Sequence, residues 1–518
     1  MIAQSVLQAC LNLGVREFVV CAGSRNSDLV HGLLQHRGQL QLYSFFEERS
    51  AAFFALGRTL AQLNPVAIVT TSGTAVAELL PAVIEAYYQE RPLVLITADR
   101  PTRYRGSGAP QAIEQSEIFG SYARAYDLET ETDVSSFDSA HLEVKGPLHL
   151  NVCLEEPARE IPTIHLSLYD KLRTTTNTQP ASNSPALKRF LEKSSPLLVI
   201  AGCLNPDRAL VTALESLSAP ILADATSGLH AEPSLTHLLL RGGDRTAQKL
   251  EFGKVLRFGG VPSFRLWRDL ETQAEIDVLS LSNRPFSGLA RHSMRLDCPP
   301  ESFESCDQQV PANWETIETT QADRLESALS QYPQSEPAQL RTLLTHLPSS
   351  AQLFVGNSLP IRELGLVSAR KLPWPTYANR GANGIDGNLA TCLGLAAGND
   401  APETWGLFGD LTTLYDLAAP GMLTELPNAC TRTVVINNMG GKIFRRLPNF
   451  KGLTPIDTAT IENHHQFDFQ GWAQAWGLDY HLIQANGLDS NHLGQHAILE
   501  LRPDEDQTEA FWADYSRN

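Results

Sequence analysis

Thr404-Trp405-Gly406-Leu407-Phe408-Gly409-Asp410, and then, after a helical stretch from Leu414 to Leu423, Thr433-Val434-Val435-Ile436-Asn437-Asn438-Met439-Gly440-Gly441, is the stretch that decides the fold. Each apolar run ends in polar and glycine residues, so Asp410 and Asn438 stand at the carboxyl ends of two strands. Asn438 follows Asp410 by 28 residues. That is the length of one strand, helix, strand crossover, which sets both residues on one edge of a parallel sheet, where α/β proteins bind ligands. A carboxylate, an amide oxygen and the backbone carbonyl of Gly440 are the hard oxygen donors that Mg²⁺ or Mn²⁺ accepts, with positions left for phosphate oxygens and water. Glycine at 440 and 441 lets the backbone approach a phosphate closely. Taken singly, Gly-Asp and Asn-Asn are turn residues; the crossover spacing is what joins them into a metal and diphosphate site.

Working outward, the whole chain has an α/β pattern. Its 518 residues suggest roughly three domains at about 150 residues each. Residues 1–165 alternate strand runs (Glu17 to Val20, Leu42 to Phe46, Val66 to Thr70, Leu93 to Thr97, Leu148 to Leu154) with helical patterns, clearest at Ser50 to Leu63 and Ala75 to Gln89. The Thr-, Asn-, Ser- and Pro-rich stretch Leu172 to Pro185 reads as a linker. A smaller unit at 186–297 follows, with strand runs at Leu197 to Ala201, Ile221 to Ala223, Val255 to Phe258 and Ile276 to Leu281. The polar stretch Cys298 to Asn313 separates it from a last unit at 315–518, where Leu353 to Gly356, Thr376 to Ala378 and Ala497 to Leu501 add strands. The expected fold class is therefore α/β, with two substantial units flanking a middle one.

Composition excludes several classes of function. A net charge of −17 argues against nonspecific nucleic-acid binding, which needs clustered Lys and Arg. No apolar run approaches the roughly 18 residues that cross a bilayer, and Met1 to Gly14 lacks a basic leader, so a cytoplasmic protein without stable membrane insertion is expected. The eight cysteines form no CxxC pair and are expected to be reduced.

Gly409-Asp410, the helix after it and Asn437-Asn438 resemble the thiamine-diphosphate signature of the decarboxylase and synthase superfamily. Leu411 stands where most members have Gly or Ala, and Gly-Asp-Leu-Thr followed by Leu-Tyr-Asp-Leu is similar to one member family, the 2-succinyl-5-enolpyruvyl-6-hydroxy-3-cyclohexene-1-carboxylate synthases of menaquinone biosynthesis. The resemblance covers the first and third segments and, more faintly, the middle. It implies three doubly wound parallel-sheet domains that are, in order, pyrimidine-binding, central and diphosphate-binding. It implies thiamine diphosphate as cofactor, held by Asp410, Leu411, Thr412, Asn438, Gly440 and Gly441, with Asp410, Asn438 and Gly440 on the metal and Ile385 propping the cofactor into its bent shape. The family decarboxylates 2-oxoglutarate and adds the resulting unit to isochorismate, on a route to menaquinone or phylloquinone. Because relatives bind the cofactor between the first domain of one subunit and the third of another, a homodimer, or a homotetramer of two such dimers, is implied.

Thiamine chemistry needs a carboxyl group that shares a proton with the aminopyrimidine. Phe45-Phe46-Glu47-Glu48-Arg49 offers one at a strand end, and Glu48 matches the family motif, with apolar flanks suited to raising its pKa. Glu47 reads as a helix N-terminal acid. Both substrates are dicarboxylates, and guanidinium forks grip carboxylates bidentately. By resemblance, Ser358, Arg362 and Arg380 belong to the oxo-acid side, and Ser24, Arg25, Arg100 and Gln111 to the adduct and second substrate. Thr70 to Ala75 opens a helix after a strand; its free N–H groups serve either a ligand or a simple cap.

Some positions depart from the family pattern. Ala22 and Asp28 replace prolines in the first turn, and Pro110 replaces an Asn expected to bind the adduct. Only Arg265 remains of a basic pair in Gly260 to Arg265, Phe444-Arg445-Arg446 is more basic than usual, and His464-His465 replace a Thr-Pro turn. The histidines read as a solvated loop without a role. These departures keep two alternatives in view, another thiamine-diphosphate decarboxylase or carboligase and a non-catalytic relative that only binds ligand.

Overall fold

The computed structural model describes residues 1–62, 64–138, 144–157, 163–168, 184–297, 308–368, 372–398, 401–447, 450, 452–483, 488 and 493–516. Nearly all of the linker expected over Leu172 to Pro185, and the part of Cys298 to Asn313 that holds Cys298 and Cys306, lie outside the described residues.

Among the described residues, seventeen strands form three parallel sheets. The first contains β1 (Glu17–Val20), β2 (Gln41–Ser44), β3 (Val66–Thr70), β4 (Leu93–Asp99), β5 (Arg124–Leu128) and β6 (Leu148–Cys153), in the order β2-β1-β3-β4-β6-β5. The second contains β7 (Leu197–Ala201), β8 (Ile221–Ala223), β9 (Lys254–Phe258), β10 (Asp277–Leu281) and β11 (Met294–Leu296), in the order β11-β10-β9-β7-β8. The third contains β12 (Gln352–Val355), β13 (Thr376–Tyr377), β14 (Thr404–Gly409), β15 (Thr431–Ile436), β16 (Asp479–Ile483) and β17 (His496–Leu501), in the order β13-β12-β14-β15-β17-β16. The first and third sheets thus share one topology, and each reverses direction beside its first strand. The crevice at such a switch point, outside the carboxyl ends of the strands, is where doubly wound sheets bind ligands. The Cys21 N–H donates to Val69 O at 2.9 Å, and that of Gly356 to Leu407 O at 2.8 Å, so the turns after β1 and β12 open level with the ends of β3 and β14.

The chain divides into two compact units, one comprising residues 1–175, 381–404 and 412–431, the other 176–380, 405–411 and 432–518. In the first unit the helix Glu48–Ala61 is buried all round from Ser50 to Thr59, so it is apolar on every face rather than amphipathic. It packs backbone to backbone on the helix Asn388–Ala396. A Cβ at Gly57 would lie 2.0 Å from Thr391 O, and one at Gly394 would lie 2.1 Å from Phe54 O, so both glycines are required by close approach. Arg58 seals the crossing, donating to Gly394 O and to both oxygens of Glu17. The second unit carries two apolar cores, one around the second sheet (Leu198, Val199, Leu256, Leu279) and one around the third (Leu353, Val355, Leu407, Val434).

Central strands sit close to where the sequence puts them, because buried strands are continuous apolar runs. Three edge strands differ. The strands β5 and β16 carry exposed polar residues and β11 is three half-buried residues, none with alternation, so they give no pattern to find. The helix expected from Ala75 to Gln89 is two, Thr74–Ala77 and Leu80–Gln89, with Pro81 in the first turn of the second. The helix expected from Leu414 to Leu423 is replaced by Asp410–Tyr415 and a 3₁₀ stretch Ala419–Glu425 containing Pro420 and Gly421. The helices Trp314–Gln331 and Glu336–Leu344 are additional.

Candidate active site

In the second unit, Asp410 follows β14 and Asn438 follows the neighbouring β15, as the crossover spacing requires. Asp410 is 3% exposed, and its Oδ2 accepts the Gly440 N–H at 2.8 Å while Oδ1 accepts the Leu411 N–H at 2.7 Å. This clasp folds the turn back over the strand end. Met439 takes a positive φ of 67° and Gly440 one of 139°, where a Cβ would stand 2.6 Å from Glu462 O; only glycine fits there. Asn438 Nδ2 donates to Glu336 Oε2 at 2.8 Å, and Asn438 Oδ1 is buried with no hydrogen-bond partner among the described residues. A buried acceptor without a donor costs about 1–3 kcal/mol unless something outside the chain completes it.

Among the described residues no three His, Cys, Asp or Glu side chains cluster as metal ligands. A cation here would be held by one carboxylate, one amide oxygen and one carbonyl, a sparse oxygen set that suits Mg²⁺ or Mn²⁺ sharing its remaining positions with a diphosphate and water. The donors present fit the group.

Behind this turn lies a layer that sequence reasoning missed. Glu336 and Glu363 are both fully buried carboxyls, 2% and 0% exposed, and burial raises both from the ordinary glutamate value, while the Asn438 and Glu363 hydrogen bonds hold Glu336 back. Glu363 is lifted further, by the Glu336 charge beside it. The proton the pair retains therefore sits on Glu363, and Glu336 faces Asn438 as the carboxylate. His465, expected in a solvated loop, instead packs with its side chain 13% exposed and Nε2 3.1 Å from Asp410 Oδ2, while His464 Nε2 lies 2.6 Å from Glu462 Oε2. His464 remains exposed, so the correction concerns His465, and its cause is that buried Glu462 draws in Lys442 at 2.8 Å and Arg445 at 2.5 Å as well, fixing the segment beside the Gly440 turn. The basic Phe444-Arg445-Arg446 stretch is thus neutralised locally, with the Arg446 guanidinium over the Trp512 ring at 4.3 Å.

The oxo-acid arginines expected from the sequence also lie in this unit. Ser358, at φ 73°, ends the turn after β12 and precedes the helix Leu359–Val367, and its carbonyl accepts Arg362 Nη1. Arg380 is 6% exposed and donates to Asn357 Oδ1 at 2.9 Å. Burial and the nearby charges of Arg380 and Arg268 hold the Arg362 guanidinium below its usual pKa. Such a group gains most from an added carboxylate. Asp224 balances part of the charge: burial pushes its carboxyl up, but Arg380 and the donors from Thr226 and Ser263 hold it below the usual range. Arg265, the remnant of the basic pair, is 58% exposed and pairs with Asp269 at 2.7 Å.

In the first unit, Glu47 caps the helix Glu48–Ala61, its carboxylate accepting the N–H groups of Arg49 and Ser50, both at 3.1 Å. Glu48 is then the first helical residue. Burial raises its carboxyl above the ordinary value, against a backbone hydrogen bond that lowers it, and the Glu47 charge adds to the rise. Of the two flanking phenylalanines Phe45 is buried and Phe46 is 69% exposed. Arg49 reaches Asp416 Oδ1 at 3.2 Å. Asp416, fully buried, also accepts the N–H groups of Gly387, Leu389 and Ala390, so it anchors the Ile385-Asp386-Gly387 turn, and burial lifts its carboxyl to about 6 even so. Glu85 does the same for the preceding turn, accepting the N–H groups of Gly381, Ala382 and Asn383.

Ser24 is exposed, and the turn that carries it is shaped by Asn26, which accepts the Gly23 N–H at 2.8 Å and donates to Cys21 O at 2.9 Å. Arg25 and Arg100 converge on one carboxylate oxygen, Glu156 Oε1, with Arg100 at 3.2 Å. Pro110 offers no side-chain donor, but its carbonyl accepts Arg100 Nε at 3.1 Å. Gln111, at φ 58°, is exposed, with its Cα packed against Gly73. The Gly73 N–H, one of those left open at Thr70 to Ala75, is taken by Gln115 Oε1 at 3.1 Å, which favours a structural role for that amide.

Known proteins match this arrangement. The family model described as thiamine pyrophosphate enzyme, N-terminal TPP binding domain, matches residues 1–118. A solved structure of benzoylformate decarboxylase from Polynucleobacter necessarius superposes with a TM-score of 0.69 at 15% identity, covering 97% of this chain and 98% of that one. A putative thiamin diphosphate-dependent enzyme from Mycobacterium smegmatis superposes with a TM-score of 0.67, also at 15% identity, covering 97% and 99%. These likenesses establish the fold as that of thiamine-diphosphate enzymes. Among sequences, 2-succinyl-5-enolpyruvyl-6-hydroxy-3-cyclohexene-1-carboxylate synthase of Bdellovibrio bacteriovorus is 40% identical over 99% of this chain and 98% of its own. The proteins of the same name from Akkermansia muciniphila and Geobacillus thermodenitrificans are 38% and 34% identical, over 98% and 94% of this chain and 96% and 91% of theirs. With strand-end Asp410 and Asn438, a raised Glu48 and near full-length identity of this order, the chain belongs to the 2-succinyl-5-enolpyruvyl-6-hydroxy-3-cyclohexene-1-carboxylate synthase family.

Proposed function

We propose that this protein is a thiamine-diphosphate-dependent transferase that decarboxylates 2-oxoglutarate and joins the four-carbon unit to isochorismate, a step of menaquinone biosynthesis. The observation that carries the reading is Asn438 Oδ1, buried and without a partner among the described residues, beside the Asp410–Gly440 clasp, an oxygen donor set suited to a divalent cation, in a chain of this family. Thiamine diphosphate, when bound, supplies the electron sink that lets a 2-oxo acid lose CO₂ and add as a nucleophile. The chain's own residues do the rest.

Asp410, Asn438 and the Gly440 carbonyl would hold Mg²⁺ or Mn²⁺, Leu411, Thr412 and Gly441 would line the diphosphate, and Ile385 would support the cofactor. Glu48 would share a proton with the aminopyrimidine, and burial raises its carboxyl, which favours the protonated form that role needs. Arg362 and Arg380, with Ser358, take the carboxylates of the oxo acid. Arg25 and Arg100, with Ser24 and Gln111, take those of isochorismate. Their shared contact with Glu156 supports this assignment, since two guanidiniums that converge on one exposed carboxylate can take a substrate's in its place. Residues 1–165, 186–297 and 315–518 are assigned as pyrimidine-binding, central and diphosphate-binding domains of a cytoplasmic homodimer or homotetramer. Among the described residues no helix is long and apolar enough to cross a membrane.

The test is CO₂ release from 2-oxoglutarate by the purified protein with thiamine diphosphate and Mg²⁺, with and without isochorismate. Turnover that depends on isochorismate supports the assignment. Cofactor binding without such turnover redirects it to another acceptor or oxo acid.

A further inference from the structure

Asn438 is a metal ligand only if its amide oxygen, and not its NH₂, faces the cation. The two ends of an amide differ in chemistry and hardly in shape, and nothing in Asn437-Asn438-Met439-Gly440 selects one of them. The selection comes from a residue 102 positions away. Glu336 Oε2 accepts the Asn438 Nδ2 N–H at 2.8 Å, which leaves Oδ1 buried and without a partner among the described residues. Glu336 is fixed in turn: Ser335 caps its helix through the Ala338 N–H, and the Glu336 N–H donates to Thr508 Oγ1 at 3.0 Å.

We propose that Glu336 is a positioning residue that locks the Asn438 amide with its oxygen toward the cation and thereby sets the Mg²⁺ affinity of the diphosphate site. The inference rests on the metal-site reading given above. Turning the amide over would oppose Oδ1 to a carboxylate oxygen and present two N–H donors to a cation, and both contacts are repulsive. An acid in the first turn of a helix is also favoured by the helix dipole. That favour needs no contact with Asn438, whereas the observed hydrogen bond runs to the one side chain whose orientation matters. A carboxylate behind the amide N–H also polarises the group and makes Oδ1 a better donor to the metal, as outer-shell partners of metal ligands do.

The experiment measures Mg²⁺-dependent thiamine-diphosphate binding by tryptophan fluorescence on the full chain, with the apo thermal midpoint recorded alongside. Glu336→Ala should weaken Mg²⁺ roughly 10- to 100-fold, and Glu336→Gln less, because its Oε1 can still accept the Asn438 N–H. In an Asn438→Asp background the ligand has two equivalent oxygens and needs no orienting, so adding Glu336→Ala should cause no further loss, and relief of carboxylate repulsion should tighten binding. Equal losses in both backgrounds would mark Glu336 as merely structural and overturn the proposal, as would unchanged Mg²⁺ affinity in Glu336→Ala. Should Glu336→Ala fail to fold, Glu336→Gln carries the same comparison, with a loss expected where Asn438 is kept and none in the Asn438→Asp background. Asp410→Ala separates the two readings: if it keeps Mg²⁺-dependent binding the metal site itself fails, and if it loses binding while Glu336→Ala does not, only the present inference fails.

Discussion

Replacing Asp416 by Ala should loosen the turn that carries Ile385 and the helix Asn388–Ala396 behind it. The Asp416 carboxylate is fully buried; its Oδ1 accepts the Gly387 N–H at 2.9 Å, and its Oδ2 those of Leu389 at 2.9 Å and Ala390 at 3.3 Å. Every residue from Asn388 to Ala396 is buried, so water cannot readily replace the lost acceptor. At about 1–3 kcal/mol for each buried donor left unpaired, the three N–H groups together cost roughly 3–6 kcal/mol after partial relaxation. Asn at this position keeps one acceptor oxygen and so satisfies one side of the cap, for about half that cost. The assay is amide hydrogen exchange at about pH 7.5, where a carboxyl lifted to about 6 is ionised. Exchange across 387–396 should accelerate by at least about 10²-fold in Asp416→Ala and by an intermediate factor in Asp416→Asn, since about 1.4 kcal/mol is tenfold. Thiamine-diphosphate affinity should fall in the same order. Unchanged exchange in Asp416→Ala would refute the capping argument.

Gly57→Ala should lower the urea midpoint by an amount equivalent to about 2–3 kcal/mol, because the new methyl meets the Thr391 carbonyl at 2.0 Å and backbone cannot move aside as a side chain can; an unshifted midpoint would dismiss the close crossing. Glu462 is held down to about 2 by Arg445, Lys442 and His464, against burial that pushes it up. Its folded value lies below the unfolded one of 4.5, so its stabilisation is complete above that value and fades as the pH falls toward 2. Glu462→Gln should therefore be less stable than the parent at about pH 7, and the gap between their denaturation midpoints should shrink on acidification; a gap independent of pH would argue against the ion cluster. Glu48→Gln should keep cofactor affinity and abolish turnover, measured by titration and by CO₂ release respectively, and retained turnover would remove Glu48 from proton transfer.

The sequence by itself determined the α/β class, the central strands, and the Asp410 and Asn438 strand ends, because buried parallel strands are unbroken apolar runs and crossover length is a local property of the chain. The same locality made Glu48, Arg362 and Arg380 legible through the motifs that carry them. Tertiary structure alone decided how those residues are held. Glu85 folds a turn 296 residues away from itself, Glu336 orients an amide 102 residues on, and Asn26 and Gln115 shape turns whose motifs name neither. It also overturned the solvated reading of His465, since only the folded path brings it against buried Asp410, while His464 stays exposed and pairs with buried Glu462. Periodicity records which face of an element is apolar; it holds no record of which distant carboxylate will meet which N–H. That pairing follows from where the chain returns to, and the cost of leaving a buried polar group unpaired is what enforces it.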